Sequence, residues 1–197
     1  MKKPILIIGD SPFLGEIENK LHYLLELYPS LGINNAIRRY NIQSHIFQDM
    51  KFVTLTNRYS EIKTVSLFMY GDAIQKENKE LIDSYTFNFK KDTCADLLKG
   101  SRLAWCGFTH DYAISYCITK GYTDIILAGT ADFIGKQHYI TSEIFSPSEK
   151  LVRLSKKFIE EICTQRANIY TLNPNSSLDI PKIDIDSLLK IEINFQK

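Results

Sequence analysis

This chain of 197 residues has almost no excess of positive over negative side chains: 24 Lys and Arg stand against 23 Asp and Glu, a formal net charge of +1. Without a bulk field to gather polyanions, nucleic acid is not an expected partner. Long apolar runs are missing too. None approaches the roughly 20 residues that a bilayer span needs, and the Ile-Leu-Ile-Ile that follows Met-Lys-Lys-Pro is too short for the core of a secretory signal. The expectation is a cytoplasmic protein, with peripheral contact at the inner membrane and assembly into a homo-oligomer left open. Cys94, Cys106, Cys117 and Cys163 contain no C-x-x-C pair, so a metal site is not expected, and Cys106 and Cys117 sit among aromatic and aliphatic residues where buried thiols are common. No bound cofactor is expected either. Linkers rich in Gly, Pro or Ser, internal repeats and low-complexity stretches are absent, which leaves a single domain over residues 1–197.

Apolar side chain is plentiful. Hydrophobic residues make up 44% of the chain and include 11 Tyr and 11 Phe, enough for a sizeable core at this length. Lys3 to Ile8 reads as a central strand covered on both faces. Ile17, Leu21, Leu24, Leu25 and Tyr28 form one helical stripe that Pro29 ends. Leu31-Gly-Ile-Asn-Asn predicts a short second strand, Phe52-Val-Thr-Leu-Thr a third ending at Asn57, and Thr64 to Tyr70 a fourth ending at Gly71. Residues 72–101 show no clear period, with Tyr85-Thr-Phe-Asn-Phe as one candidate strand. Thr109 to Lys120 predicts a helix capped by Gly121, leading into the buried strand Asp124-Ile-Ile-Leu-Ala-Gly. Ser146-Pro-Ser-Glu looks like a helix start with Ser146 as N-cap, and the helix continues through Leu151, Leu154, Phe158 and Ile162. Asn168 to Asn173 is a last strand, followed by an irregular tail. Strands alternating with helices predict an α/β fold, a Rossmann-like domain with a mostly parallel sheet flanked by helices.

Ligands of such sheets bind beyond the carboxyl ends of strands. Gly9-Asp-Ser-Pro falls at one such end, where backbone N–H groups and a helix dipole can receive a phosphate or carboxylate. The same residues also suit a plain strand-to-helix turn with Asp10 or Ser11 as N-cap. Asn34, Asn35 and Asn57 follow the next two predicted strands. Their amides can read a base or sugar without adding charge, so a nucleotide crevice is a reasonable expectation.

Three segments carry a resemblance. Ile5-Leu-Ile-Ile-Gly-Asp-Ser-Pro-Phe-Leu, Ile118-Thr-Lys-Gly-Tyr-Thr-Asp-Ile-Ile-Leu-Ala-Gly-Thr-Ala-Asp-Phe and Ile169-Tyr-Thr-Leu-Asn-Pro-Asn-Ser-Ser-Leu are similar, in order and rough spacing, to the bacterial family 42 sialyltransferases. The resemblance implies a nucleotide-sugar-binding domain that takes CMP-sialic acid and passes the sugar to a glycan hydroxyl, with inversion and without a required metal. By position, Gly9, Asp10 and Ser11 would face the donor's phosphate and sugar, with Asn34 and Asn57 nearby. Thr109 would meet its carboxylate, and Asn175 and Ser176 its cytidine end. Asp132 would lie at the same ligand edge.

The chain departs from that family in two ways. Asp10 stands where the family has Asn, and the long lid that ends in a catalytic His is shortened, so that the base itself falls on Ser142. His138, with Tyr139 beside it, is then the candidate base from a shifted position, and His110 at the head of its helix is the other. The first turn also resembles the broader group of motility accessory factors and 6-hydroxymethylpterin pyrophosphokinases. Pyrophosphoryl transfer would bring Mg²⁺ and a carboxylate cluster, for which Asp10, Asp72 and Asp132 are candidates. A nucleotide-sugar-binding protein without turnover is the third possibility.

Overall fold

The computed structural model describes residues 3–49, 51–59, 61–67, 74, 79–85, 108–132 and 147–195. Strand β1, Pro4–Ile8, is the hydrophobic run expected from the sequence; Leu6, Ile7 and Ile8 are fully buried, and full burial of a side chain of this size contributes about 1.5–3 kcal/mol. Helix α1, Leu14–Leu27, follows. Leu21, Leu24 and Leu25 face the sheet, and the chain leaves the helix at Tyr28, just ahead of Pro29. Strand β2 is Ser30–Ile33, and a 3-10 turn over Asn34–Arg38 joins it to β3, Ser44–Ile46.

Residues 51–57 differ from expectation. Lys51–Asn57 is a helix, α2, not a strand. Its buried residues Phe52, Val53, Leu55 and Thr56 fall at steps of one, two and one, the i, i+1, i+3, i+4 pattern of a helical face. The strand in this region is β3, whose Ser-His-Ile carries too little apolar signal to announce itself. Strand β4, Lys63–Leu67, and β5, Ile82–Tyr85, follow. The rest of the candidate strand at Tyr85, residues 86–89, lies outside the described residues, as do Cys94, Cys106, Asp72, His138 and Tyr139.

Helix α3 is Thr109–Thr119. Asp111 caps it by accepting the Phe108 N–H at 3.2 Å, and Gly121 leaves it with φ +77°. Strand β6, Asp124–Ala128, is buried throughout. The next helix, α4, runs over Glu149–Lys157, and its N-cap is Ser148, whose hydroxyl accepts the Leu151 N–H; the start lies two residues beyond the expected Ser146. A π-helical turn over Phe158–Ile162 extends it. Strand β7 is Asn168–Thr171. The tail expected to be irregular instead forms helix α5, Ile185–Phe195, with Ile185 and Leu188 buried against the α1 side.

Among the described residues seven strands form one sheet in the order β5-β4-β3-β2-β1-β6-β7, and every described pairing is parallel. The fold is α/β and Rossmann-like. Both faces are covered: Ile5, Ile7, Leu31, Ile125 and Leu127 pack with α3 residues such as Tyr112 and Cys117, while Leu6, Ile8, Ile126 and Ala128 pack with α1 and α5. Cys117 and Cys163 are buried and form no disulfide among the described residues. No helix of the described residues is long and apolar enough to cross a membrane.

Candidate functional site

The strand order reverses at β1. From there the chain builds β2 to β5 on one side, then crosses to β6 and β7 on the other. Because all strands are parallel, the loops leaving the carboxyl ends of β1 and β6 diverge, and the gap between them is where open sheets of this kind receive ligands. Gly9 and Gly129 leave those two ends side by side, continuing the Ile8 and Ala128 pair.

The two turns are in tight contact. Gly9 N–H donates to the Ala128 carbonyl and Ser11 N–H to the Gly129 carbonyl, each at 2.9 Å. A Cβ on Gly9 would stand 2.2 Å from the Gly129 oxygen, and Gly129 has φ +61° with Leu14 filling the space a Cβ would take. Further along α1's first turn, Leu14, Gly15 and Glu16 donate to the carbonyls of Ser11, Pro12 and Phe13, and Phe13 N–H donates to Ser11 Oγ. The turn therefore spends most of its N–H groups on its own carbonyls and on β6. A phosphate at Gly9 and Ser11 would not find their N–H groups free.

Acceptors dominate instead. Asp132 follows Ala131, a non-glycine residue with φ +57°, and is only 3% exposed. Neither carboxylate oxygen has a hydrogen-bond partner among the described residues. Burial pushes its carboxyl pKa up; the nearby side chains of Ser11 and Asn173 pull it back without closing a well-formed hydrogen bond. Its carbonyl accepts from Ser177 N–H and Oγ, which ties it to the loop after β7.

In that loop the inward residue is Asn173, which the sequence reading passed over. Asn173 is buried, and its Oδ1 accepts the Asn175 N–H at 2.9 Å, so its NH2 group is the end free to turn elsewhere. Asn175 itself is exposed, and buried Ser176 closes the turn by accepting the Leu178 N–H. The Asn-Pro-Asn-Ser string holds the signal for such a turn but not for which Asn points inward.

On the β2 side, Asn34 is held at φ +50° with its Oδ1 buried and unpartnered among the described residues. His45, fully buried in β3, fixes it: Nε2 lies 2.7 Å from the Asn34 carbonyl and Nδ1 2.9 Å from Thr56 Oγ1. A carbonyl only accepts, so Nε2 carries the proton; in the neutral ring Nδ1 then accepts from the Thr56 hydroxyl. Asn57 comes next, as the last residue of α2, half-buried rather than on a strand end. Thr109 reaches the same edge, since its hydroxyl donates to Oε1 of Gln48, just past β3.

His110 is placed differently. It stacks on Phe108 at 5.0 Å and its Nε2 is 2.9 Å from Ser155 Oγ in α4. Ser155 donates its only proton to Asp111 Oδ1, so it must accept from the imidazole N–H. Burial lowers the His110 pKa to about 3, which keeps the ring neutral at physiological pH. It joins α3 to α4. Among the described residues no group of three or more His, Cys, Asp or Glu is arranged to hold a metal ion.

The opposite, amino edge of the sheet carries a cavity of about 270 Å³ lined in part by Lys3, Lys63, Lys120 and Tyr122. Lys3 Nζ donates to the Lys120 carbonyl at 2.9 Å and stands over the Tyr122 ring. Helix C-termini converge at this edge, and a lysine capping α3 offsets its partial negative charge. The two non-glycine residues of positive φ, Asn34 and Ala131, and the unpartnered oxygens of Asn34 and Asp132 are at the other edge, which is why the candidate site is placed there.

A solved structure of a MAf glycosyltransferase from Magnetospirillum magneticum AMB-1 is similar to this chain, with a TM-score of 0.62 and 11% identity over 94% of this chain and 34% of that one. This chain thus spans about a third of that neighbour's length, and the likeness is one of fold. The neighbour falls with the motility accessory factors rather than with the family 42 sialyltransferases. No family model matches the chain, and no curated protein does.

Proposed function

We propose that this chain is a glycosyltransferase-like domain that binds a nucleotide-activated sugar in the crevice between the carboxyl ends of β1 and β6. The observation that carries this is unmet acceptors at the carboxyl edge of the sheet: both carboxylate oxygens of Asp132, after β6, and Oδ1 of the half-buried Asn34, after β2, are buried without a hydrogen-bond partner among the described residues. Orphaned acceptors cost about 1–3 kcal/mol each, and a hydroxyl-rich ligand relieves that cost. A sugar nucleotide is such a ligand. The name of the neighbouring structure points to the same class, and the three sequence segments favour CMP-sialic acid as donor and a glycan hydroxyl as acceptor.

Transfer needs a group to take the acceptor's proton. His110 is a poor base in the described structure, being held neutral with a strongly lowered pKa and its Nε2 proton engaged. From the family resemblance we assign that role to His138 and help for the leaving phosphate to Tyr139, both of which lie outside the described residues. Thr109 supports the donor from the head of α3, and Asn175 and Ser176 flank the nucleotide from the β7 loop.

Calorimetry with CMP, CMP-sialic acid, a UDP-sugar and ATP, each with and without Mg²⁺, tests the proposal. Metal-independent binding of CMP-sialic acid, with slow release of free sugar that disappears in His138→Ala, is the expected result. Mg²⁺-dependent binding of ATP alone would favour pyrophosphoryl transfer, for which the presence of both Asp10 and Asp132 at this edge is the supporting observation. Tight binding without any turnover would favour a nucleotide-sugar-binding protein.

A further inference from the structure

The hydrogen-bonding capacity of the crevice is unbalanced. Gly9 and Ser11 have committed their N–H groups to the carbonyls of Ala128 and Gly129, while Asp132 offers two oxygens that the nearby side chains of Ser11 and Asn173 approach without closing a well-formed hydrogen bond. An ionised carboxylate can only accept. Its neighbours do not change this: Ser11 Oγ already accepts the Phe13 N–H, and Asn173 has its Oδ1 fixed by Asn175, so each has at most donor protons to spare for one side of the group. The backbone on both flanks is anchored, by strained Ala131 before it and by Ser177 on its carbonyl, so Asp132 cannot swing out to water without breaking the loop.

Two adjacent acceptors at fixed spacing match two adjacent donors. We infer, resting on the nucleotide-sugar proposal above, that Asp132 receives a vicinal diol of the ligand, one hydroxyl on each carboxylate oxygen, between Ser11 of the β1 turn and Asn173 of the β7 loop. A proton-abstracting role would use one oxygen and leave the other unmet; a diol satisfies both. The diol belongs either to the ribose or to the transferred sugar, and the two sources give different outcomes.

The test is calorimetry on the full chain with CMP, 2′-deoxy-CMP, 3′-deoxy-CMP and CMP-sialic acid, for the wild type and Asp132→Asn. If the ribose supplies the diol, each deoxy analogue binds the wild type roughly ten- to hundredfold more weakly than CMP, as expected for losing a hydrogen bond to a charged group. Asp132→Asn then loses most of that discrimination. If the sugar supplies it, the wild type binds CMP and its deoxy analogues alike, and Asp132→Asn weakens CMP-sialic acid by a similar factor while leaving CMP unchanged. The deoxy comparison is made on the wild type, so the ribose arm does not depend on the variant's folding, which its melting temperature checks. CMP and its deoxy analogues binding the wild type equally, together with wild-type affinity of Asp132→Asn for CMP-sialic acid, would overturn the diol assignment while leaving nucleotide-sugar binding in place. No binding of any of the four probes to the wild type would overturn the nucleotide-sugar proposal itself, and the diol with it.

Discussion

Replacing Gly9 with Ala adds one methyl group where the two halves of the sheet meet. The new Cβ would stand 2.2 Å from the Gly129 carbonyl oxygen, 2.6 Å from Thr130 Cβ and 2.9 Å from the Gly129 carbonyl carbon. An ordinary C···O contact is about 3.3 Å or longer, so the overlap with the oxygen is roughly 1 Å. Two of the three obstructing atoms are backbone, and that backbone is held by the Gly9-to-Ala128 and Ser11-to-Gly129 hydrogen bonds. No flexible side chain can turn away. The turns must separate, stretching those bonds, and the expected cost is about 2–4 kcal/mol, at or above the upper end of usual overpacking penalties. Urea unfolding followed by circular dichroism reads it directly, with an unchanged m-value. Gly121→Ala is the control: its φ of +77° carries a penalty of about 1 kcal/mol for a side chain, but among the described residues the only atom near its Cβ is Lys3 Nζ at 3.8 Å. Should Gly9→Ala cost no more than Gly121→Ala, the close approach of the two turns is wrong, and the crevice built on it loses its floor.

His45→Phe removes both ring nitrogens from the Asn34 carbonyl and Thr56 hydroxyl. It is expected to cost about 2–4 kcal/mol, and a cycle with Thr56→Val, itself costing about 1 kcal/mol, should be clearly non-additive. The His110 pKa, lowered from 6.5 to about 3, makes stability full above pH 6.5 and progressively lost as pH falls toward 3, because the unfolded chain takes up the proton first. The slope has a ceiling of about 1.4 kcal/mol per pH unit, and His110→Gln should flatten it in urea titrations between pH 7 and 4. Asp132 has the opposite sign: with its pKa raised, its ionisation weighs against the fold as pH rises past the ordinary carboxyl range. Asp132→Asn should therefore raise the neutral-pH melting point, by an amount on the order of 1 kcal/mol in stability, and a fall of that size would contradict the buried, unpartnered placement. Ser148→Ala should cost about 1 kcal/mol through loss of the α4 cap, measured by the same urea assay.

Much of the scaffold was legible residue by residue. Ile5 to Ile8 and Ile125 to Ala128 are apolar on both faces because they are covered on both faces, and a continuous run says so without any tertiary information. The α1 stripe and its Pro29 stop, and α3 with its Gly121 exit, rest on local backbone chemistry that acts the same way in any fold. Phe52 to Thr56 was misread because β-branched and aromatic residues favour strands, whereas here their i, i+1, i+3, i+4 spacing against the core overrode that preference. The last helix was missed although Asp184 caps it by accepting the Ser187 N–H at 3.1 Å, since it is contact with α1 that makes its apolar residues a face.

For the site, residue order and local propensity were enough to set Gly9, Asn34, Thr109 and Asp132 at the starts or ends of elements of a parallel sheet. Only the tertiary structure decided what the edge offers: strand order β2-β1-β6 brings two glycine turns into contact across more than a hundred residues of chain, consuming their N–H groups on each other and leaving buried oxygens facing the gap. It also turned Asn173 inward in place of Asn175 and bound His110 to Ser155. Hydrogen bonds between distant segments depend on angles and distances that no short window of sequence encodes, so the chemistry of the crevice appears only when the segments are in place.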